Sequence, residues 1–169
     1  VLTRVVVDEE DGAFREPSKP IGPYYGQVEA EWLTNERGWH LHEDPSRGGW
    51  RRVVPSPRPI TIVEAPAIGR LVRSGNDLVI AVGGGGIPVV WKEGRMEGVE
   101  AVVDKDLAAA CLAKSLKDDL LVMLTDVEGA YVGYGTARER MLGTVTAEEA
   151  ERHLNEGEFP PGSMGPKVE

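Results

Sequence analysis

Residues 98–116, Gly-Val-Glu-Ala-Val-Val-Asp-Lys-Asp-Leu-Ala-Ala-Ala-Cys-Leu-Ala-Lys-Ser-Leu, decide the fold that we predict for the rest of the chain. Residues 101–103 are apolar and contain two valines, which indicates the end of a buried strand or the approach to a helix. From residue 107 onward, leucine, cysteine and alanine recur at helical spacing and predict a helix with an apolar face. Asp104 lies at the N-cap position, where its carboxylate accepts hydrogen bonds from free backbone amides.

The charged cluster Asp104-Lys105-Asp106 opens this predicted helix. In α/β folds, anionic ligands bind where a buried strand meets the N-terminus of a helix. Lys105 would bring a positive charge to a phosphate there, with Asp104 or Asp106 holding its ammonium group. The alternative is a capped helix whose first turn is merely solvated, and the motif taken alone favours that alternative.

Composition and charge exclude several classes of function. The chain has 169 residues, 41% of them hydrophobic, which suffices for one folded domain. Its net charge of −9 argues against non-specific binding to nucleic acid or to an anionic membrane, although a few local lysines still suffice for an anionic substrate. We expect neither a signal peptide nor a membrane-spanning helix. The single cysteine, Cys111, indicates a buried apolar residue of a cytoplasmic protein.

Both ends of the sequence lead us to expect a piece of a longer chain. Val1 stands shortly before the strand-like residues 5–7, and Lys167-Val168-Glu169 closes the sequence without a helix-ending signal.

A proline-rich segment follows the first predicted strand, residues 5–7. Three prolines and Gly22 between residues 13 and 25 disfavour both a helix and a central strand, so we predict a loop. Lys19 lies in this loop. The stiff loop could hold Lys19 in place to contact a ligand at low entropic cost, or Lys19 could be an ordinary surface lysine. The loop taken alone favours the surface lysine.

A helix and a protruding hairpin are predicted next. Residues 26–37 favour a helix, and residues 39–43 and 50–54 alternate like strands on either side of the turn-forming residues between them. His40 and His42 would share one face of the hairpin. No third ligand follows at a metal-binding spacing, so we predict no protein-built metal site.

Two apolar runs predict the centre of a parallel sheet. Residues 78–82 (Leu-Val-Ile-Ala-Val) and 120–124 (Leu-Leu-Val-Met-Leu) are apolar at nearly every position, as in strands covered on both faces. The helix predicted before the first run, residues 65–73, would direct three apolar side chains inward: Ile68, Leu71 and Val72. The alternation of strands and helices predicts the α/β class, with a mostly parallel sheet flanked by helices on both faces.

Shorter elements complete the predicted order. Residues 60–63 and 89–92 favour short strands, and residues 130–134 favour a short edge strand or an extended loop. Thr146 with Glu149 forms a capping box before a final predicted helix.

Four glycines, residues 83–86, follow the first apolar run directly. They do not complete the Gly-x-Gly-x-x-Gly dinucleotide motif, because Pro88 stands at its third glycine position, and no Gly-Lys-Ser/Thr P-loop follows. Backbone amides in such a loop, at the carboxyl end of a buried strand, approach an anion closely. A flexible turn is the alternative. We favour the ligand-binding loop because four glycines cost folding entropy.

Several polar segments that follow predicted strands would meet at one edge of the sheet. Besides the glycine loop and Asp104, they include Asp126, a candidate contact to a ribose or a metal, or else a turn-forming residue. Lys19, Lys105 and Lys167 would then converge on one anion. Phosphoryl transfer requires mainly such positioning and positive charge. We find no Ser-His-Asp arrangement or cysteine nucleophile, which fits a kinase with an anionic acceptor.

Six segments carry a family resemblance along nearly the whole chain. They are SKPIGP (18–23), RRVVPSP (51–57), AVGGGGIPV (81–89), DKDLA (104–108), LTDV (124–127) and GSMGPK (162–167). On these segments the chain resembles the carbamate kinases of the amino-acid kinase superfamily. The resemblance implies reversible transfer of phosphate from carbamoyl phosphate to ADP, giving ATP and carbamate, with Mg²⁺. It also implies a cytoplasmic homodimer of arginine metabolism whose partners are small-molecule substrates, not nucleic acid or membrane.

The resemblance implies roles for individual residues as well. Lys105 and Lys167 would stabilise the transferring phosphoryl group, and Asp104 would orient the lysines. Lys19 would reach in from a protruding subdomain. Substrate would lie near Gly84, Gly85 and Gly86. The implied nucleotide-binding residues are Asp126, Val127, Tyr131, Met164 and Gly165.

The sequence departs from the family in two places. The family begins with a strand and a Gly-Gly-Asn loop that holds the phosphoryl group, and it ends with a helix and closing strands; neither segment is found in residues 1–169. We therefore expect residues 1–169 to form one incomplete amino-acid kinase-like domain, with residues 17–57 as a protruding subdomain or lid. A sheet without its first strand exposes an edge, so we expect the isolated chain to fold poorly or to be inactive.

Two other functions stay open. One is a kinase for another small acid, such as acetylglutamate, and the other is a nucleotide-binding fragment without catalysis. Pro88 and the set of lysines disfavour a dinucleotide-dependent oxidoreductase.

Overall fold

The computed structural model of the chain describes residues 1–45, 47–75, 78–118 and 120–169. The strands in these residues are β1 (Arg4–Val6), β2 (Lys19–Tyr25), β3 (His40–Asp44), β4 (Gly49–Val54), β5 (Thr61–Ile62), β6 (Ile87–Lys92), β7 (Arg95–Gly98), β8 (Tyr131–Val132) and β9 (Arg140–Met141). The α-helices are α1 (Gln27–Arg37), α2 (Ala65–Ser74), α3 (Lys105–Leu116), α4 (Ala147–Asn155) and α5 (Gly165–Val168), and a 3₁₀ helix spans Gly12–Phe14. Within those ranges, no helix is long and apolar enough to cross a membrane.

The main sheet has the strand order β5-β1-β6-β7 and contains both kinds of pairing. β1 runs parallel to β6, with Val5 opposite Pro88, and antiparallel to β5, with Val5 opposite Ile62. β6 and β7 form an antiparallel hairpin. The valines of β1 and β6 are buried, and α3 packs against β5 and α2. The predicted α/β class is therefore confirmed, with a mixed sheet in the described residues.

A second sheet, which we call the small sheet, has the order β2-β4-β3 and is entirely antiparallel. The predicted hairpin is confirmed as β3 and β4, with His42 opposite Arg51. Ser46, in the predicted turn, lies outside the described residues. Helix α1 packs against this hairpin through Ala30 and Leu33. The assignment of residues 17–57 as a subdomain of a single domain stays a prediction.

The loop predicted for residues 13–25 is wrong in its second half, which forms β2. Proline is tolerated there because β2 is an edge strand, whose outward amides need no partner. The register with β4 shifts between Ile21 and Tyr25. Gly22 in that interval has φ +69°, a left-handed conformation that favours glycine. The prolines therefore specify an irregular edge, not the absence of a strand.

The prediction that the two apolar runs, residues 78–82 and 120–124, are central strands is wrong, because neither run forms a strand. Leu78 is 94% exposed and Leu124 is 90% exposed. An apolar composition makes a buried strand favourable only where neighbouring strands supply hydrogen bonds and cover the side chains. No strand of the described residues pairs with either run.

Helix α2 is confirmed, but only part of its predicted inward face is buried. Ile68 is buried in the core, whereas Leu71 and Val72 are exposed. The buried residues of α2 all lie in its first half, so the last turn of the helix extends past the core.

The shorter predicted elements are confirmed with small changes in their bounds. Residues 60–63, 89–92 and 130–134 correspond to β5, β6 and β8. The capping box of α4 is present: the Thr146 hydroxyl accepts from the Glu149 amide at 3.2 Å, and the Thr146 amide donates to the Glu149 carboxylate at 2.9 Å.

Candidate active site

Asp104 occupies the N-cap of α3, as the sequence predicts. Its Oδ1 atom accepts a hydrogen bond from the Asp106 amide at 2.8 Å. Val103 just before it and Ala108 in the first turn after it are both fully buried in the core. The position of the Asp104 carboxylate is therefore fixed from both sides by packing.

Lys19 reaches Asp104 from the small sheet. Its Nζ atom lies 2.6 Å from Asp104 Oδ2, although 85 residues separate the two in sequence. Burial of Asp104 acts to raise its pKa, but the hydrogen bonds from the Lys19 ammonium and from two backbone amides outweigh burial. The pKa of Asp104 therefore lies below its ordinary value, and the carboxylate is charged at neutral pH.

Asp106 holds the other two lysines of the predicted set. Its Oδ2 atom lies 2.6 Å from Lys167 Nζ and 3.5 Å from Lys105 Nζ. The Lys167 side chain is 16% exposed, whereas that of Lys105 is 60% exposed, so Lys105 retains freedom to meet a ligand. The structure thus brings together all three predicted lysines on two carboxylates.

The orienting role that the resemblance implied for Asp104 is shared between two residues. Asp104 contacts Lys19, whereas Asp106 contacts Lys105 and Lys167. The sequence offers Asp106 as a possible holder of Lys105, but the predicted site does not include it. Its position in the first turn of α3, next to Lys105, was the available signal; its contact with Lys167 spans 61 residues.

The glycine loop packs against the segment that leads into Asp104. A Cβ atom at Gly85 would overlap with the Val103 carbonyl, and one at Gly86 would overlap with the Val5 side chain. Both glycines have positive φ, so packing and backbone conformation require them. At Gly84 a Cβ would meet nothing within 4 Å. Of the three predicted substrate-binding glycines, Gly84 is thus the one with open space.

A cavity of about 260 Å³ adjoins Lys167. Its lining includes four of the predicted nucleotide-binding residues: Asp126, Val127, Tyr131 and Met164. Gly165 does not line it; this glycine is buried, and its amide donates to the Pro160 carbonyl at 3.1 Å. The rings of Tyr131 and Tyr134 meet edge to face at 6.0 Å on the cavity wall.

Cavity size alone does not identify the site. A larger cavity of about 430 Å³ lies beside α2 and β5, but none of the clustered lysines lines it. Across the described residues, no group of three His, Cys, Asp or Glu side chains is arranged to hold a metal ion.

Comparisons with known proteins agree with this geometry. Residues 27–169 match the model of the Amino acid kinase family. The carbamate kinase of Thermococcus kodakarensis is 52% identical over 168 residues, which are 99% of this chain and 53% of that protein. The carbamate kinase of Staphylococcus haemolyticus is 50% identical over 169 residues, which are 100% of this chain and 54% of that protein. The chain spans about half the length of the curated relatives it matches.

Solved structures show the same similarity in three dimensions. A structure from Aeropyrum pernix K1 has a TM-score of 0.90 and 54% identity, covering 99% of this chain and 54% of that one. The carbamate kinase of Giardia lamblia bound to AMP-PNP has a TM-score of 0.85 and 45% identity, covering 99% of this chain and 53% of that one.

Proposed function

Because the chain belongs to the amino acid kinase family and carbamate kinases are among its matched relatives, we propose that the protein transfers a phosphoryl group reversibly between carbamoyl phosphate and ADP. The products are ATP and carbamate, which decomposes to ammonia and carbon dioxide. One observation carries the proposal: three lysines from distant parts of the chain converge on two carboxylates beside a cavity.

The charges of this cluster suit an anionic transition state. Three ammonium groups stand against two carboxylates, so the cluster keeps an excess of positive charge. A terminal oxygen of the ADP β-phosphate attacks the phosphorus atom, and the bond from phosphorus to the carbamate oxygen breaks. Nucleophile and leaving group are both anions, so the step requires no general base, and fixed positive charge on the phosphoryl oxygens lowers the barrier.

Two carboxylates position the lysines that would neutralise the phosphoryl oxygens. Asp106 holds Lys105 and Lys167, and Asp104 holds Lys19, so that all three ammonium groups are available to the transferring group. Since Asp104 holds Lys19 and Asp106 holds Lys167 before substrate arrives, these two ammonium groups reorganise little during the reaction, whereas the more exposed Lys105 is free to meet the substrate.

The lining of the cavity beside Lys167 supports nucleotide binding. Tyr131 and Tyr134 provide an aromatic wall, and Asp126 provides a carboxylate for a ribose hydroxyl. Asp104 and Asp106 already bind lysines, so Mg²⁺ would be held mainly by the phosphates of the nucleotide. Such an ion supplies further neutralisation of phosphate charge.

A homodimer, a cytoplasmic location and a role in arginine metabolism belong to the same proposal, and the resemblance to carbamate kinases supports them. Light scattering on the purified protein tests the dimer: a mass of one subunit would contradict it.

The catalytic proposal is tested by ATP formation from carbamoyl phosphate and ADP in the intact protein. Lys167→Ala and Lys105→Ala should each lower kcat by about 10²- to 10³-fold, since each removes a charge that contacts the transition state. Lys114→Ala is the matched control, because it removes one positive charge from the exposed far end of α3. Wild-type turnover in Lys167→Ala would contradict the proposed role.

The same assay distinguishes the alternatives. ATP formation from another acyl phosphate, such as acetylglutamyl phosphate, in place of carbamoyl phosphate would indicate a different small-acid kinase. Binding of AMP-PNP without any turnover would indicate a nucleotide-binding fragment without catalysis.

A further inference from the structure

Two neighbouring arginines of β4 face opposite sides of the small sheet, because side chains alternate along a strand. Arg51 Nη2 donates to the Gly22 carbonyl at 3.0 Å, and the Arg51 guanidinium carbon lies 5.3 Å from the centre of the Tyr24 ring. Gly22 and Tyr24 both belong to β2. Arg51 therefore binds within the small sheet.

Arg52 instead reaches out of the small sheet. Its guanidinium carbon lies 4.2 Å from the centre of the Trp39 ring, and its Nη2 atom forms an ion pair with Glu100. An aromatic face attracts the planar guanidinium and restricts its orientation. With only 20% of its side chain exposed, Arg52 is thus held by Trp39 in an orientation that meets Glu100.

Glu100 belongs to the segment that leads into the active-site helix, residues 100–104. Val103 of this segment is fully buried, which attaches the segment to the core of the main sheet. Alternate residues of the segment contact the small sheet or its connector: Glu100 pairs with Arg52, the Val102 amide donates to the Pro55 carbonyl at 2.9 Å, and Asp104 pairs with Lys19 at 2.6 Å. These contacts form one continuous junction between the two sheets.

Arg52 and Lys19 lie close together in the small sheet. Arg52 is opposite Ile21 in the β2–β4 register, and Lys19 is opposite Val54. We propose that Arg52 is a positioning residue: by binding Trp39 and Glu100, it sets where the Lys19 ammonium stands relative to Asp104 and to the anionic substrate. This inference rests on the proposed function, in which Lys19 contacts the substrate.

The expected effect is on position more than on stability. The Glu100 side chain is 73% exposed, and ion pairs with an exposed partner contribute little to the free energy of unfolding. Loss of the pair would let the small sheet move away from residues 100–104 while both sheets stay folded. Lys19 would then leave Asp104 more often.

The first test measures this directly, without requiring activity. An amine-acylating reagent is applied to the intact protein, and labelling of each lysine is followed by mass spectrometry. In Arg52→Gln, Lys19 should be labelled about three- to fivefold faster than in the wild type, the range expected for losing an ion pair of this kind. Lys114 serves as an internal reference.

Arg51→Gln is the matched control, because it removes the same charge from the neighbouring residue without touching Glu100. Lys19 labelling in this variant should match the wild type. Unchanged Lys19 labelling in Arg52→Gln, or an equal rise in Arg51→Gln, would overturn the proposal.

The second test asks whether Arg52 acts through Lys19. Arg52→Gln should lower kcat for ATP formation about fivefold in the wild type, and by less than about twofold in the Lys19→Ala background, because residues that act together are not additive. An equal loss in both backgrounds would overturn the proposal, since a merely structural role predicts additivity. If the wild type forms no ATP from carbamoyl phosphate, the proposed function fails, and the labelling result still decides the role of Arg52.

Discussion

The small sheet and the two apolar runs contrast in sequence and in structure. The small sheet contains prolines, histidines and arginines, yet its three strands pair with one another, with a single irregularity in β2. The runs at residues 78–82 and 120–124 are the most strand-like parts of the sequence, yet they belong to no sheet of the described residues. The second run exposes most of its side chains, whereas the first exposes Leu78 and Ile80 but buries Val82 in the core. Strand propensity and strand formation are therefore separate properties in this chain.

The difference lies in where each strand finds its partner. β3 and β4 are joined by a short turn, so pairing closes a small loop at little entropic cost. A parallel strand pairs only with strands that are distant in sequence. The parallel pair of β1 with β6 shows that this chain supports such pairing where both partners are present.

The largest expected difference between the two regions is in backbone hydrogen exchange. In the 169-residue chain, amides that pair β3 with β4 should exchange at least about a thousandfold more slowly than those of residues 78–82 and 120–124, because a sheet must open before its amides exchange. Mass spectrometry of peptides from each region measures this. Strong protection of either apolar run would mean that it is paired in solution and would remove the contrast.

A pair of leucine substitutions sharpens the comparison through stability. Leu33 of α1 is buried against the hairpin, so Leu33→Ala should lower the free energy of unfolding by about 2–5 kcal/mol. Leu124→Ala is the matched control: this side chain is 90% exposed, and the change should stay within about 0.5 kcal/mol. Urea unfolding measures both. A large loss in Leu124→Ala would show that the second run is buried in solution.

The smallest expected effect concerns the pH dependence of the junction between the small sheet and α3. The pKa of Asp104 is lowered by its native contacts, so its charge stabilises the fold above its ordinary pKa of about 4. This contribution should disappear as the pH falls through about 4 and below. Asp104→Asn keeps an N-cap side chain but removes the charge.

The measurement is the difference in unfolding free energy between the wild type and Asp104→Asn across that acid range. The wild type should be more stable at neutral pH, and the difference should shrink as Asp104 takes up its proton. A difference that does not change with pH would show that the Lys19–Asp104 pair does not stabilise the fold.

Sequence reasoning predicted the parts of the site that depend on neighbouring residues. The N-cap role of Asp104 follows from its position before an alanine-rich helix, and the three lysines follow from the family motifs. The predicted set does not include Asp106, whose partner Lys167 is 61 residues away in sequence. The sequence shows where each carboxylate lies along the chain, but it does not show which lysine the carboxylate will pair with in the folded protein.

The sequence by itself determined the caps of α3 and α4, the β3–β4 hairpin and the lysines that gather at the site, because each depends on neighbouring residues or on a motif. Only the tertiary structure decided that the proline-rich β2 pairs at an edge, that the apolar runs stay unpaired in the described residues, and how Asp104 and Asp106 divide three lysines between them. Each of these outcomes depends on partners far away in sequence, and local propensity does not determine which distant partner a strand or a charge will meet.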